Sequence, residues 1–149
     1  MWWSFARNTD FFSQRKAAQV FHYDLDDSRF LKFFFYITKV DDESGPHVFV
    51  TYSLPRKKLT HELIRRGYSD VEIAQYYGQE NILTICGEAG FGFVEDPLYF
   101  HKGITPKKQD RLILQIEYAM YDYGMQSDYI NPTLLNLSPS FTFPTSLPV

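Results

Sequence analysis

Arg29-Phe30-Leu31-Lys32-Phe33-Phe34-Phe35-Tyr36-Ile37-Thr38-Lys39-Val40, read as one strand, decides how this chain folds. Aromatic and β-branched side chains in such a run suit a pleated surface, where large groups pack across neighbouring strands. The run is apolar on both faces, as a central and well-covered strand requires. Side chains alternate across a strand, so Lys32, Phe34, Tyr36 and Thr38 share one face. That face is mixed and is expected to border a wet cavity. Leu31, Phe33, Phe35 and Ile37 share the other, which is expected to be plain core.

Outward from it, Asp41 to Pro46 reads as a turn and His47–Tyr52 as the next strand, an antiparallel neighbour of the first. Pro55 breaks the pattern, and a helical insertion is expected over about 56–78. Within it Ser69 and Glu72 form a capping box, and Gly78 is the favoured terminator. Further strands are expected at Ile82–Cys86, Phe91–Glu95 and Arg111–Met120, with a turn through Gly87, Ala89 and Gly90. On the N-terminal side, mixed residues 1–19 lead into a strand at Ala18–Asp24. Beyond Gly124 the chain carries Pro132, Pro139, Pro144 and Pro148 among Ser and Thr. The expected organisation is a domain over 1–124 and an irregular C-terminal tail over 125–149. The fold class is an all-β core, expected as a jelly roll with a short helical insertion.

Composition narrows the function. A chain of 149 residues suits one domain with a real core. Fourteen Phe and eleven Tyr favour strands. A net charge of −3 gives no basic field, so no nucleic-acid partner is expected. No membrane segment is apparent, and Met1-Trp2-Trp3-Ser4-Phe5 is too quickly interrupted by Arg7, Asn8 and Asp10 for a signal peptide. The single Cys86 cannot form an internal disulfide. A cytoplasmic protein is the expectation.

The chemistry-bearing stretch is Val20-Phe21-His22-Tyr23-Asp24. In extended chain His22 and Asp24 project from one face, while Phe21 and Tyr23 pack on the other. An imidazole nitrogen beside a carboxylate oxygen makes two adjacent donors for a divalent metal. A third donor would complete the 2-His-1-carboxylate face of non-heme Fe(II) oxygenases. Among the other histidines, His47 and His61 read as solvated or structural. His101 stands apart, at the end of the aromatic stretch Pro97-Leu98-Tyr99-Phe100 and before Lys102-Gly103. Ten residues on, Arg111 shares a face with Ile113, Gln115 and Glu117. A guanidinium there is costly if unpaired, and a carboxylate-bearing ligand would satisfy it through a planar, two-point contact.

His22-x-Asp24, then His101 with Arg111 ten residues on, resembles the phytanoyl-coenzyme A dioxygenase family of Fe(II)/2-oxoglutarate-dependent dioxygenases. The likeness runs through Ala18–Asp24, Phe30–Asp41, Ser44–Val48, His101-Lys102-Gly103, Pro106 and Arg111–Gln115, and spans roughly residues 17 to 120. It implies a double-stranded β-helix, which agrees with the jelly roll. It also implies that His22, Asp24 and His101 bind iron and that Arg111 meets the far carboxylate of 2-oxoglutarate. Gln19 and Lys32 are weaker candidates for the co-substrate, and Tyr36 a weaker one still for lining the cavity.

The implied activity is an oxidoreductase using Fe(II), 2-oxoglutarate and O2 to hydroxylate a small-molecule substrate, with release of succinate and CO2. Asp24 sits where related halogenases carry a small residue, so hydroxylation rather than halogen transfer is expected. Two alternatives are a catalytically inactive, N-terminally shortened dioxygenase-like binding protein and a cupin-like metal protein that does not use 2-oxoglutarate. Members of the family usually carry a longer region before the first ligand. A compact form and a fragment are both compatible with the sequence. Tyr52-Ser53-Leu54-Pro55 also departs from the Gly-Ser-His-like turn that members often carry. Neither oligomeric state nor substrate identity follows from these residues.

Overall fold

The computed structural model describes residues 2–4, 19–64 and 66–121; the expected tail and most of 1–19 lie outside the described residues. The described chain is mostly β, in two antiparallel sheets. One contains β1 (Trp2–Ser4), β2 (Phe30–Tyr36), β5 (Gly92–Glu95) and β7 (Arg111–Ala119), in the order β1-β7-β2-β5. The other contains β3 (His47–Val50), β4 (Ile82–Ile85) and β6 (His101–Gly103), in the order β4-β3-β6.

The aromatic run is central, as expected. β2 pairs with β7 from Phe30↔Ala119 to Tyr36↔Ile113, and with β5 from Lys32↔Glu95 to Phe35↔Gly92. Its even face borders a cavity, as expected, but its odd face is not the expected core. Phe30, Lys32, Phe34 and Tyr36 are buried, whereas Leu31, Phe35 and Ile37 are exposed. Register carries the same division across the sheet. Phe93, Glu95, Arg111, Ile113, Gln115 and Glu117 lie on the inward side, and Val94, Leu114, Ile116 and Tyr118 on the outward one. The face read as mixed is the interior because its charged groups are paired there. The core on that side is Phe34, Tyr36, Val40 and Ile113, with Phe93 packed against it.

The expected β2–β3 pairing is also corrected, since the two strands belong to different sheets. Residues 37–46 make a connection too long for a tight hairpin. Val40 instead exchanges backbone hydrogen bonds with Gly87, and Asp41 closes its own turn by accepting from the Glu43 and Ser44 amides. Gly45, at φ 75°, and Pro46 then deliver the chain into β3.

The strand expected at 18–24 is not a strand. Residues 19–24 form an extended segment with two isolated bridges, Phe21 to Tyr68 and His22 to His101. Alternation still holds there: Phe21 and Tyr23 enter a core with Val48, Val50, Tyr68, Ile73, Tyr77 and Phe100. The helical insertion supplies much of that core through α1 (Leu59–Leu63) and α2 (Asp70–Tyr77). Both halves of the Ser69–Glu72 capping box form, and Gly78 ends α2 at φ 91°. His61 of α1 is buried, with Nδ1 3.0 Å from the Tyr77 hydroxyl. Among the described residues no helix is long and apolar enough to cross a membrane.

The two faces of β2 separate in a mutational test. Phe34 is 6% exposed and Phe35 36%. Phe34→Ala is expected to cost about 3–5 kcal/mol. Phe35→Ala should cost less than half as much in the same urea-denaturation series. Equal losses would contradict the inward assignment of the even face.

Candidate metal centre

Two chain segments converge on one point. His22 and Asp24 come from the extended segment before β2, and His101 opens β6. His22 and His101 form a hydrogen-bonded antiparallel pair: each backbone N–H donates to the other's carbonyl, at 3.0 and 2.9 Å. Paired residues of this kind send their side chains to the same side of the ladder. The two rings accordingly lie 4.4 Å apart, centroid to centroid.

Each imidazole is oriented by its own backbone. His22 Nδ1 donates to the Val20 carbonyl at 2.8 Å, and His101 Nδ1 to the Tyr99 carbonyl at 3.0 Å. A carbonyl can only accept, so Nδ1 carries the proton in both rings and Nε2 is the atom offered to the site. Asp24 completes the set. Its Oδ1 is 3.8 Å from His22 Nε2 and its Oδ2 is 3.6 Å from His101 Nε2. One donor atom from each residue lies within 4.8 Å of the others, and the group could hold a metal ion. Two neutral imidazoles and a carboxylate suit a divalent first-row ion, and the outer hydrogen bond on each ring is the usual orienting device.

The local field is that of a site short of positive charge. Burial raises the Asp24 carboxyl, but the His101 hydrogen bond and the charges of His101 and Lys32 outweigh it and hold it well below the usual carboxylate range. Burial lowers His22 to about 4, helped by the charge of His101. His101 moves the other way. Burial would lower it, yet its hydrogen bond with Asp24 and the Glu95 and Asp24 charges raise it. Lys32 Nζ lies 2.5 Å from Asp24 Oδ2, and 3.4 Å from both Asp26 and Glu117.

A cavity of about 260 Å³ opens beside the three donors, lined also by Lys32, Phe34, His47, Arg111 and Gln115. Arg111 thus shares a cavity with His22, Asp24 and His101. Its Nη1 donates to the Gly45 carbonyl and its Nη2 to Ser4 Oγ at 3.2 Å. Its buried Nε has no hydrogen-bond partner among the described residues. An unpartnered buried guanidinium edge is costly, and a carboxylate oxygen is its natural complement. Lys32 also reaches the cavity wall, although its ammonium is turned to the three carboxylates. Gln19 and Tyr36 are not among the lining residues. Gln19 accepts from Thr105, and the Tyr36 hydroxyl bonds with the Ile85 carbonyl and the His47 amide.

Two further residues matter here. His47 is buried rather than solvated, and its Nε2 lies 2.7 Å from Glu95 Oε2. Glu95 Oε1 is buried without a hydrogen-bond partner among the described residues and lies 4.0 Å from His101 Nε2. Burial lowers His47, against the Glu95 hydrogen bond and charge that raise it. Burial alone would raise Glu95, but the His47 hydrogen bond and the His47 and His101 charges hold it below the usual range. The sequence signal for Glu95 was its parity on β5, opposite Lys32, which becomes legible only once the register is known.

Neither a family model nor a curated protein matches this sequence. Among solved structures 21 chains match. EvdMO1 aligns at TM-score 0.45 and 20% identity, covering 66% of this chain and 22% of that one. EctD from S. alaskensis with bound Fe aligns at TM-score 0.46 and 17% identity, covering 80% of this chain and 38% of that one. The chain therefore spans well under half the length of either.

The electrostatics give a pH prediction. A metal can occupy Nε2 of His101 only by displacing the proton that the neighbouring carboxylates retain there. Above pH 4 His22 is already neutral and asks nothing further. Ion binding should therefore release a proton while the pH lies below the raised value of His101, and affinity should fall on acidification through it. Calorimetric titration of Mn(II) in buffers of different ionisation enthalpy counts that proton. Release of no proton over the whole range would remove His101 from the ligand set.

Proposed function

We propose that the chain is an Fe(II)- and 2-oxoglutarate-dependent dioxygenase that hydroxylates a small molecule. One observation carries the reading: two histidines with Nδ1 tied to backbone face one carboxylate, in a cavity that Arg111 also lines. The jelly-roll form of the all-β core belongs to this reading, and the two antiparallel sheets are compatible with it.

Each residue has a task. His22, Asp24 and His101 would hold Fe(II) on one face and leave its other face to the co-substrate and O2. With these bound, the centre supplies oxidative decarboxylation, so that 2-oxoglutarate, O2 and a C–H bond give succinate, CO2 and a C–OH bond. Arg111 would fix the far carboxylate of the co-substrate through its Nε edge. Phe34 and Ile113 would keep the inner wall dry. Lys32 holds one Asp24 oxygen, which orients the carboxylate and limits its negative charge.

A second reading is favoured by that last contact. Lys32 at 2.5 Å already neutralises Asp24, and a binding shell without metal would need such a counter-ion. Metal titration separates the two, because only a metal centre binds Fe(II) or Mn(II) stoichiometrically.

Incubation with Fe(II), ascorbate and 2-oxoglutarate should release succinate even without the true substrate. Absence of succinate, together with absence of 2-oxoglutarate binding, would overturn the assignment. Arg111→Lys should weaken 2-oxoglutarate binding by roughly tenfold or more, since an ammonium cannot reproduce a planar two-point contact. Metal affinity should stay unchanged, as read in the same calorimeter. Asp24→Ala should abolish succinate release, and no chlorinated product should form with the wild-type protein in chloride buffer.

A further inference from the structure

The Glu95 carboxylate has no use in the reading above, and its environment asks for one. Its side chain is only 3% exposed. One oxygen is spent on His47 at 2.7 Å, and the other has no partner among the described residues. An ionised carboxylate in such a place is costly unless a cation or donor meets its second oxygen. The nearest basic atom recorded for that oxygen is His101 Nε2 at 4.0 Å, close to the 3.6 Å that separates the same nitrogen from Asp24. Lys32 stands opposite Glu95 in the β2–β5 register, but its ammonium pairs with Asp24, Asp26 and Glu117 instead. Lys32 therefore leaves Glu95 Oε1 to the His101 ring, the same nitrogen that a metal would take.

We propose that Glu95 is a second carboxylate of the metal centre, a positioning and affinity residue directed by His47 at the ion beside His101. This rests on the metal reading of His22, Asp24 and His101 and adds a fourth side chain that the His-x-Asp pattern does not contain. The geometry that supports it is a chain of fixed contacts. His47 opens β3, its amide donates to the Tyr36 hydroxyl at 3.1 Å, and its ring packs between Phe34 and Phe93. So braced, the ring holds Oε2 and leaves Oε1 facing His101. Oε1 then meets either the ion or a water on it. In both cases it adds a negative charge to a site that otherwise offers one carboxylate and two neutral rings, and it favours harder divalent ions such as Mn(II) and Fe(II).

The test compares wild type, Glu95→Gln and Glu95→Asp as full chains without metal. Titration with Mn(II) and Co(II) gives affinity, the Co(II) absorption spectrum reports the ion's surroundings, and thermal unfolding gives the stability of the metal-free proteins. Glu95→Gln should bind both ions about 10–100-fold more weakly, the usual loss when an outer partner of a metal site is removed. Its Co(II) spectrum should shift, and its metal-free form should still unfold as a folded protein in one cooperative transition. Glu95→Asp, which keeps the charge and shortens the reach, should recover part of the affinity. Unchanged affinity in Glu95→Gln would overturn the role of Glu95 and leave the three-residue centre standing. A metal-free Glu95→Gln protein that is unfolded would also overturn it, marking the carboxylate as a structural partner of His47. Wild-type protein that binds no ion would instead overturn the metal reading itself.

Discussion

Two backbone hydrogen bonds between His22 and His101 hold the site together. Residues 19–24 belong to neither sheet, so nothing else of regular secondary structure sets where His22 points. The bridge fixes the pair in register, and flanking contacts keep it from slipping: Phe21 exchanges bonds with Tyr68, and the Asp24 amide donates to the Pro97 carbonyl. A one-residue slip would send His22 and Asp24 into the apolar core and Phe21 and Tyr23 into the cavity. The burial of those two aromatic rings against Phe100 and Tyr68 therefore specifies the site as well as stabilising the fold. Apolar packing on one side of a six-residue segment positions polar chemistry on the other.

That division recurs in the larger sheet and explains its unusual polarity. Lys32, Glu95 and Arg111 are buried on the inner face, and apolar side chains line the outer one. Burying such charges is tolerable only where they are paired, and Lys32 is met by carboxylates from its own loop and from β7. Asp24 ties this network to the histidine pair, so the field at the site is set by groups on several separate segments. Among the described residues, the two buried side-chain polar atoms without a hydrogen bond, Glu95 Oε1 and Arg111 Nε, both belong to this inner face. In a native interior most such atoms find partners, and the exceptions call for an explanation. Here one belongs to an anion near His101 and the other to a guanidinium whose residue lines the cavity, and the proposed function gives each a ligand.

The sequence revealed the existence of elements better than their pairing. The aromatic run at 30–38, the Ser69–Glu72 cap and the Gly78 stop are decided by local physics, and each forms as expected. The pairing of β2 with β7 and β5 depends on contacts far along the chain, which local pattern does not encode. The odd face of β2 was misread for a specific reason. Hydrophobicity predicts which side faces a dry core, but the inward side here carries a polar site and keeps Lys32 there through charge pairing. Leu31, Phe35 and Ile37 are the more apolar set and are nonetheless the exposed one.

The site was legible in proportion to how much of it is local. His22 and Asp24 could be joined by strand parity alone, because two residues in one extended segment share a face whatever the rest of the chain does. Joining them to His101 and Arg111 needed the family resemblance, since no spacing rule connects segments so far apart. His47 and Glu95 were out of reach of either route. Each looks ordinary in its own segment, a histidine at a strand start and a glutamate before Asp96-Pro97. Their significance arises only when β3 of one sheet meets β5 of the other and His47 takes one Glu95 oxygen. A contact between sheets then turns an unremarkable carboxylate into a buried charge whose second oxygen needs a partner.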